Sequence, residues 1–259
     1  MSDSAPLVLL HEDDDLVAVQ KPSGEPVIPA RDGSARDCVQ RRLERQLGRR
    51  LWVVHRIDKD ASGVVVFARN ADAHRALSLA FEHRQVSKAY VAFVAGAVTP
   101  SQGRLDLPLH AARKGKTRPA RPGEPGAQAA TTEYVTRKRW SMPGGRSSPG
   151  AALEAGDEGP VDIVSLLDAH PHTGRHHQIR VHLRSLGVPI LFDPLYGRGL
   201  MPEALAGAPC ARLALHARVI DLPAPRGEGR VVVEAPLTAD LVALAAWLDA
   251  CGHGEPAGT

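Results

Sequence analysis

The sequence predicts an α+β fold: a mixed, mostly antiparallel central sheet with flanking helices and loops. Three observations lead there. Short β-branched segments follow one another through the chain, only a few stretches carry apolar residues at helical spacing, and segments rich in Gly, Pro and Ser separate them. Leu7 to Leu10 and Leu16 to Val19 read as the first strands, the second running into the turn Lys21-Pro22-Ser23-Gly24. An arginine-rich helix is expected over Arg36 to Arg50, followed by strands over Leu51 to Val54 and Val64 to Ala68. From Ala71 to Arg84, the residues Ala73, Leu77, Ala80 and Phe81 share a helical face, and Asn70 before them is suited to cap the first turn.

Further strands are read at Tyr90 to Ala95, Thr131 to Thr136 and Val161 to Leu167. Gly115 to Gly126 and Pro143 to Pro160 read as exposed loops, the second a hairpin-like insertion. A helix is predicted over His176 to Ser185, with Ile179, Leu183 and Leu186 on one face and Gly187 as its left-handed terminator. The last helix covers Ala239 to Ala250 behind Thr238.

With 259 residues the chain can bury a sizeable core, and a single bilobed domain over 1–259, with its core at about 7–248, is expected. The longest apolar run near the C-terminus, Leu241 to Leu248, is far short of the roughly 20 residues a membrane helix needs. The N-terminus has neither the basic flank nor the apolar core of a signal peptide, so a cytoplasmic protein with no membrane partner is expected. Cys38, Cys210 and Cys251 are odd in number and far apart, unlike a disulfide framework or a CxxC metal pair. The formal net charge is only +3, but arginines cluster at Arg36, Arg41, Arg42, Arg45, Arg49 and Arg50, and basic residues again from Arg113 to Arg121. Such clusters can meet phosphate; a solvated helix face and a charged loop are the bland alternative.

Four segments carry chemistry. His55-Arg56-Ile57-Asp58-Lys59-Asp60-Ala61-Ser62-Gly63 puts an aspartate on a polar turn between apolar strands, where a carboxylate is held rigidly. Taken alone it is also an ordinary turn beside a glycine. His172-Thr173-Gly174-Arg175-His176-His177-Gln178-Ile179-Arg180 brings planar donors, Arg175, Gln178 and Arg180, to the positive end of a helix, suited to a phosphate or a carboxylate. His172 and His176 have ligand spacing, but no adjacent Glu or cysteine pair supports a metal, and none is expected. In Ser87-Lys88-Ala89-Tyr90 the tyrosine can stack on a base or be a plain core aromatic. Lys21-Pro22-Ser23-Gly24 ends a strand.

In this order the segments resemble the RluA-like family of RNA pseudouridine synthases, with its KPxG start, HRLDxxTSG, KxY and GRxHQ(I/L)RVH motifs. Its GxPIxxDxxYG motif matches Gly187 to Gly197, and the family-like Leu215-His216-Ala217 follows. The resemblance spans about Leu7 to Leu248 and implies the pseudouridine synthase catalytic domain fold, without an N-terminal S4-like RNA-binding domain. It implies isomerisation of uridine in structured RNA, tRNA or large-subunit rRNA, by base flipping, with no cofactor of any kind and a monomeric enzyme. By resemblance, Asp58 is the essential carboxylate, Arg56 helps displace the target base, Tyr90 stacks on the flipped uracil, and Arg180 is the ion-pair partner of Asp58. Ile179 would line the base pocket, and Lys21, His55, Arg175, His177 and Gln178 would contact substrate. The arginine-rich helix and the Arg113 to Arg121 loop would hold phosphates.

Three positions depart from the motifs: Ile57 for Leu, Ala61 for Thr, and His176 where Thr is usual. A non-catalytic RNA-binding protein on the same fold is the main rival, and a carboxylate facing RNA, which repels phosphate, speaks against it. A glycoside or nucleoside hydrolase needs two carboxylates roughly 5 to 10 Å apart, and only Asp60 or Asp193 stand as candidates for the second.

Overall fold

The computed structural model describes residues 5–29, 37–142, 163–197 and 205–256. The chain order is β1 (Leu9–Glu12), β2 (Leu16–Lys21), α1 (Val39–Leu47), β3 (Trp52–Val53), β4 (Ser62–Ala68), α2 (Ala71–Glu82) and β5 (Ser87–Ala95). Then come β6 (Gln102–Asp106), β7 (Leu109–Ala111), β8 (Thr117–Pro119), β9 (Thr131–Ser141), β10 (Ile163–Pro171), α3 (Gln178–Ser185), β11 (Leu215–Pro223), β12 (Arg230–Glu234), α4 (Ala239–Cys251) and β13 (His253–Pro256). The chain divides into two compact units, Met1–Ala89 with His216–Leu237, and Tyr90–Leu215 with Thr238–Thr259. The α+β class is as the sequence predicts.

In the first unit β1, β2 and β4 run antiparallel, β3 adds to β4, β11 pairs with β4 in parallel, and β12 returns antiparallel on β11. Every residue of β4 is buried, which is why Val64-Val65-Val66-Phe67 is a continuous apolar run rather than an alternating one. Helix α2 buries Ala73, Leu77 and Ala80, and Asn70 Oδ1 accepts from Ala73 N at 2.8 Å, a cap worth about 1 kcal/mol. Where β4 meets β11, Gly63 has φ +120° and a Cβ there would lie 2.2 Å from Ala217 O, so only glycine fits.

In the second unit β10 lies between β5 and β9, all antiparallel, with β6 and β13 also on β9. Strands β7 and β8 form a separate hairpin. The segment after α3 runs along β5: Ala95 N donates to Pro189 O at 2.9 Å and Leu191 N to Phe93 O at 2.8 Å. Among the described residues no helix is long and apolar enough to cross a membrane.

The differences from expectation have local causes. The first strand starts at Leu9 because Leu7 is tied to a side chain instead, its N and O bonded to the Gln46 amide at 2.8 and 3.0 Å. Helix α1 is shorter at both ends than Arg36 to Arg50, with Gly48 terminating it at φ 63°. The Gly115 to Gly126 stretch is only partly loop, since Thr117–Pro119 pairs with Leu109–Ala111. Pro119 ends that strand, so its missing N–H interrupts nothing. Thr238 holds the N-cap position of α4, but its hydroxyl accepts from Arg212 Nη2 at 2.6 Å. Pro143 to Pro160 lies outside the described residues.

Candidate active site

Asp58 sits on the turn between β3 and β4, half-buried, between the buried Ile57 and the exposed Lys59. Ala61 N donates to Asp58 O at 3.2 Å and closes the turn. Its far side is held by the Lys21 to Gly24 segment. Lys21 is fully buried, and its ammonium donates to Pro22 O at 2.7 Å, Glu25 O at 2.7 Å and Lys59 O at 2.8 Å. Gly24 N also reaches Lys59 O, at 2.9 Å, and Ser23 Oγ donates to Asp60 O. The chain just after the catalytic candidate is therefore clamped through its backbone carbonyls, although Ala61 lacks the usual hydroxyl. This makes Lys21 a brace for the turn rather than a group open to substrate.

Beyond the turn, Ser62 and His216 are both buried, with Ser62 Oγ 2.9 Å from His216 Nδ1. His216 Nε2 lies 3.1 Å from Ala235 O, so Nε2 carries the proton and Nδ1 accepts from the serine. His55 accepts at Nε2 from Val66 N, 3.0 Å, and stacks on Phe81 at 5.0 Å. Burial, helped by the charge of Lys88, pulls its pKa down to about 3, so it is a neutral acceptor that ties the turn to β4. Burial likewise pulls Lys88 down to about 8. Arg56 is exposed, and among the described residues no carboxylate pairs with it.

The second unit carries Tyr90, Arg175, His177, Gln178, Ile179 and Arg180. Tyr90 is half-buried on β5, opposite Ala169 of β10. Gln178 is 4% exposed and uses its whole amide: Oε1 accepts from Thr173 Oγ1 at 2.6 Å and Arg175 N at 3.0 Å, and Nε2 donates to Thr131 O at 2.9 Å and Thr132 Oγ1 at 3.0 Å. It thus ties the start of α3 to β9. Arg175 Nε reaches Ala129 O at 3.1 Å. His177 adopts φ 54°, which is why α3 begins at Gln178 instead of His176. Ile179 is buried, 6% exposed.

Arg180 is the largest polar group in this core. Its Nε and Nη2 each donate to Asp193 at 2.8 Å, both side chains are 1% exposed, and its guanidinium lies 5.1 Å from the centre of the Tyr196 ring. Asp193 Oδ1 also accepts from Leu195 N and Tyr196 N at 2.9 and 3.1 Å. Burial would raise the Asp193 carboxyl, but the Arg180 bonds and charge outweigh it and hold it below its usual range. Tyr196 OH accepts from Thr117 N at 2.8 Å, leaving its proton for His177 Nδ1 at 2.9 Å, and Thr117 Oγ1 lies 3.1 Å from His176 Nδ1. The β7–β8 hairpin is thereby latched onto the start of α3.

Residues 15–185 match the model of the RNA pseudouridylate synthase family, a stretch that includes Asp58, Tyr90 and Arg180. The chain is 34% identical over 230 residues to dual-specificity RNA pseudouridine synthase RluA of Escherichia coli strain K12, covering 89% of this chain and 93% of that protein. The chain belongs to the RNA pseudouridylate synthase family. It is also 31% identical over 245 residues to tRNA pseudouridine synthase C of Pasteurella multocida, covering 94% of this chain and 92% of that one. Among solved structures, human RNA Pseudouridylate Synthase Domain Containing 4 superposes with a TM-score of 0.69 at 27% identity, covering 93% of each chain.

Against this RNA pseudouridylate synthase background, the expected site residues sort by unit: Arg56, Asp58, Lys21 and His55 in the first, Tyr90, Arg175, His177, Gln178, Ile179 and Arg180 in the second. Three contributors were not singled out for their part: Asp193 as a carboxylate gripping Arg180, Tyr196 as the hub of the hairpin latch, and His216 as the acceptor for Ser62. All three lie in motifs already noted, so the signal was the motif, not the pairing.

Proposed function

We propose that this protein converts uridine to pseudouridine in structured RNA, tRNA or large-subunit rRNA, acting as a cofactor-free cytoplasmic monomer with Asp58 as the reacting carboxylate. The observation that carries this reading is the Asp58 turn: a half-buried carboxylate on a backbone clamped by Lys21, Ser23 and Gly24, with the exposed Arg56 two residues away. A rigid carboxylate suits a reaction that needs precise approach to a sugar carbon. The C1'–N1 bond breaks, the uracil turns while bound, C1'–C5 forms, the C5 proton leaves to water, and N1 takes up a proton, so uridine and product have the same composition. Asp58 takes part either as a nucleophile at C1' or as the base that removes the C2' proton.

The uridine is extruded first, at about a few kcal/mol for unstacking. Arg56 takes the vacated position in the RNA, and Tyr90 stacks on the flipped uracil beside Ile179. Arg180, oriented by Asp193, is the cation that balances the reacting carboxylate. The test is tritium release from C5-tritiated uridine in unmodified tRNA and large-subunit rRNA transcripts. Wild-type protein should release tritium from at least one RNA; Asp58→Asn should release none while binding RNA with nearly unchanged affinity. A fully active Asp58→Asn protein refutes the mechanism.

A further inference from the structure

The C-terminal end of α1 carries a surface depression walled by Arg41, Glu44, Arg45, Gly48, Arg49 and Arg50. The helix buries Val39 and Leu43 on its inner side and turns Arg41 and Arg45, one helical turn apart, outward. Gly48, left-handed at φ 63°, ends the helix and sends the chain back, with open space where its Cβ would be. The return is fastened from within. Glu44 Oε1 accepts from Leu51 N at 2.9 Å and from Gln40 Nε2 at 3.3 Å, and Gln40 Nε2 reaches Leu51 O at 3.1 Å. Leu51 is 1% exposed, so the clamp anchors Arg49 and Arg50 beside the two helical arginines.

All four arginines are exposed. Arg50 is steadied over the half-buried Trp52 ring at 5.4 Å, and Arg49 makes a long contact to Arg69 O at 3.4 Å. Arg45 pairs with Asp37, but both are more than half exposed, and such a surface pair exchanges readily for a better anion. Glu44 faces the clamp. Among the described residues, with Glu44 and Asp37 counted, the depression carries two net positive charges on planar, bidentate donors. An anion here meets the negative end of the helix dipole, so the arginines themselves must supply the attraction.

We propose that this depression anchors backbone phosphates of the RNA substrate outside the nucleotide that is modified. The inference rests on the RNA-isomerase reading and deepens it: affinity for a folded RNA would come from here, by charge and position rather than by base identity. Three observations favour it over a merely solvated helix face: four arginines outnumber the two described acids beside them, the return is clamped, and one guanidinium is already stacked.

The test is the triple substitution Arg41→Gln, Arg49→Gln and Arg50→Gln, with Arg→Lys at the same three positions as the charge-preserving control. Binding of unmodified tRNA is followed by fluorescence anisotropy from 50 to 300 mM KCl, alongside steady-state tritium release. Losing three phosphate contacts should lower the slope of log affinity against log salt by about 2 to 3. It should raise Kd and KM at least about tenfold near physiological salt while kcat falls less than the KM rises, and the Lys control should keep most of the slope. An unchanged slope and KM in the Gln triple overturns the anchor. So does an equal loss of slope in the Lys triple, which would trace the effect to a distorted helix. Absence of tritium release by wild type on every RNA would instead count against the isomerase reading, while the binding slopes still decide the anchor.

Discussion

Replacing Lys21 with methionine separates two roles for a residue that the family motif marks but does not explain. A substrate contact would present its ammonium to RNA; the structure instead buries it completely against the carbonyls of Pro22, Glu25 and Lys59. Methionine keeps much of the volume and removes all three donors. A hydrogen bond to a charged group contributes roughly 1.5–3 kcal/mol, and a buried acceptor left alone forfeits about 1–3 kcal/mol. The three are coupled and the loop can relax, so a loss of about 3–5 kcal/mol in unfolding free energy follows, rather than three times the single value. Against a typical total of about 5–15 kcal/mol this is a large shift, readable as a lower urea midpoint at unchanged m-value. Because Lys59 O follows Asp58 directly, the loosened turn should also misplace the carboxylate and lower kcat on the order of a hundredfold. KM and the salt slope should stay near wild type. If the methionine protein keeps its urea midpoint and kcat but raises KM and loses about one unit of salt slope, Lys21 contacts phosphate and the bracing role is wrong. Should it fail to fold, Ser23→Ala, which removes only the bond to Asp60 O, should move kcat the same way with about 1 kcal/mol of destabilisation.

The remaining expectations concern the buried polar groups. Asp193→Asn removes the carboxylate charge that Arg180 grips at 1% exposure and should destabilise by about 3 kcal/mol at neutral pH, measured by urea unfolding. Since the Asp193 pKa lies below its usual 3.8, that stabilisation is present above about pH 4 and fades as pH falls through the folded value, so wild type and variant should converge in acid; a constant gap would contradict the ion pair. Tyr196→Phe leaves Thr117 N without its acceptor and should weaken the β7–β8 latch by about 1–2 kcal/mol. Hydrogen exchange should then speed up in the amides of residues 109–118 while those of β9 and β10 hold; uniform loss would point to global destabilisation instead. His55 has its folded pKa pulled down to about 3 from 6.5, so its contribution is intact above pH 6.5 and is lost as pH falls toward 3. His55→Gln, which keeps an acceptor for Val66 N, should flatten the fall of stability between pH 6 and pH 4, and an unchanged profile would assign that fall to other groups.

What the sequence made legible divides along a physical line. Local rules read well: Asn70 caps α2, Gly187 takes φ +78° just past α3, and β2, β4, β5, β9 and β10 lie where β-branched residues cluster. Strands β6, β8 and β13 did not read because they are short or carry Gly and Pro, and owe their pairing to neighbours distant in sequence. In the candidate site, the motifs marked the right neighbourhoods but not which way a polar side chain faces. Lys21, Gln178 and Arg180 carry the same donors whether they meet RNA or the protein's own carbonyls and carboxylates, and only tertiary packing decides. Here it buries all three, at 0%, 4% and 1% exposure, each against named acceptors, while Arg56 and the α1 arginines stay exposed. Buried polar groups that are fully bonded act through position, and exposed ones through contact. Substitutions at Lys21, Gln178 or Asp193 should therefore register together in stability and kcat, and those at Arg56, Arg41, Arg49 or Arg50 in RNA engagement with stability preserved. A variant of Gln178 that keeps full stability but binds RNA poorly would break that division at its firmest point, since all four of its amide bonds lie inside the protein.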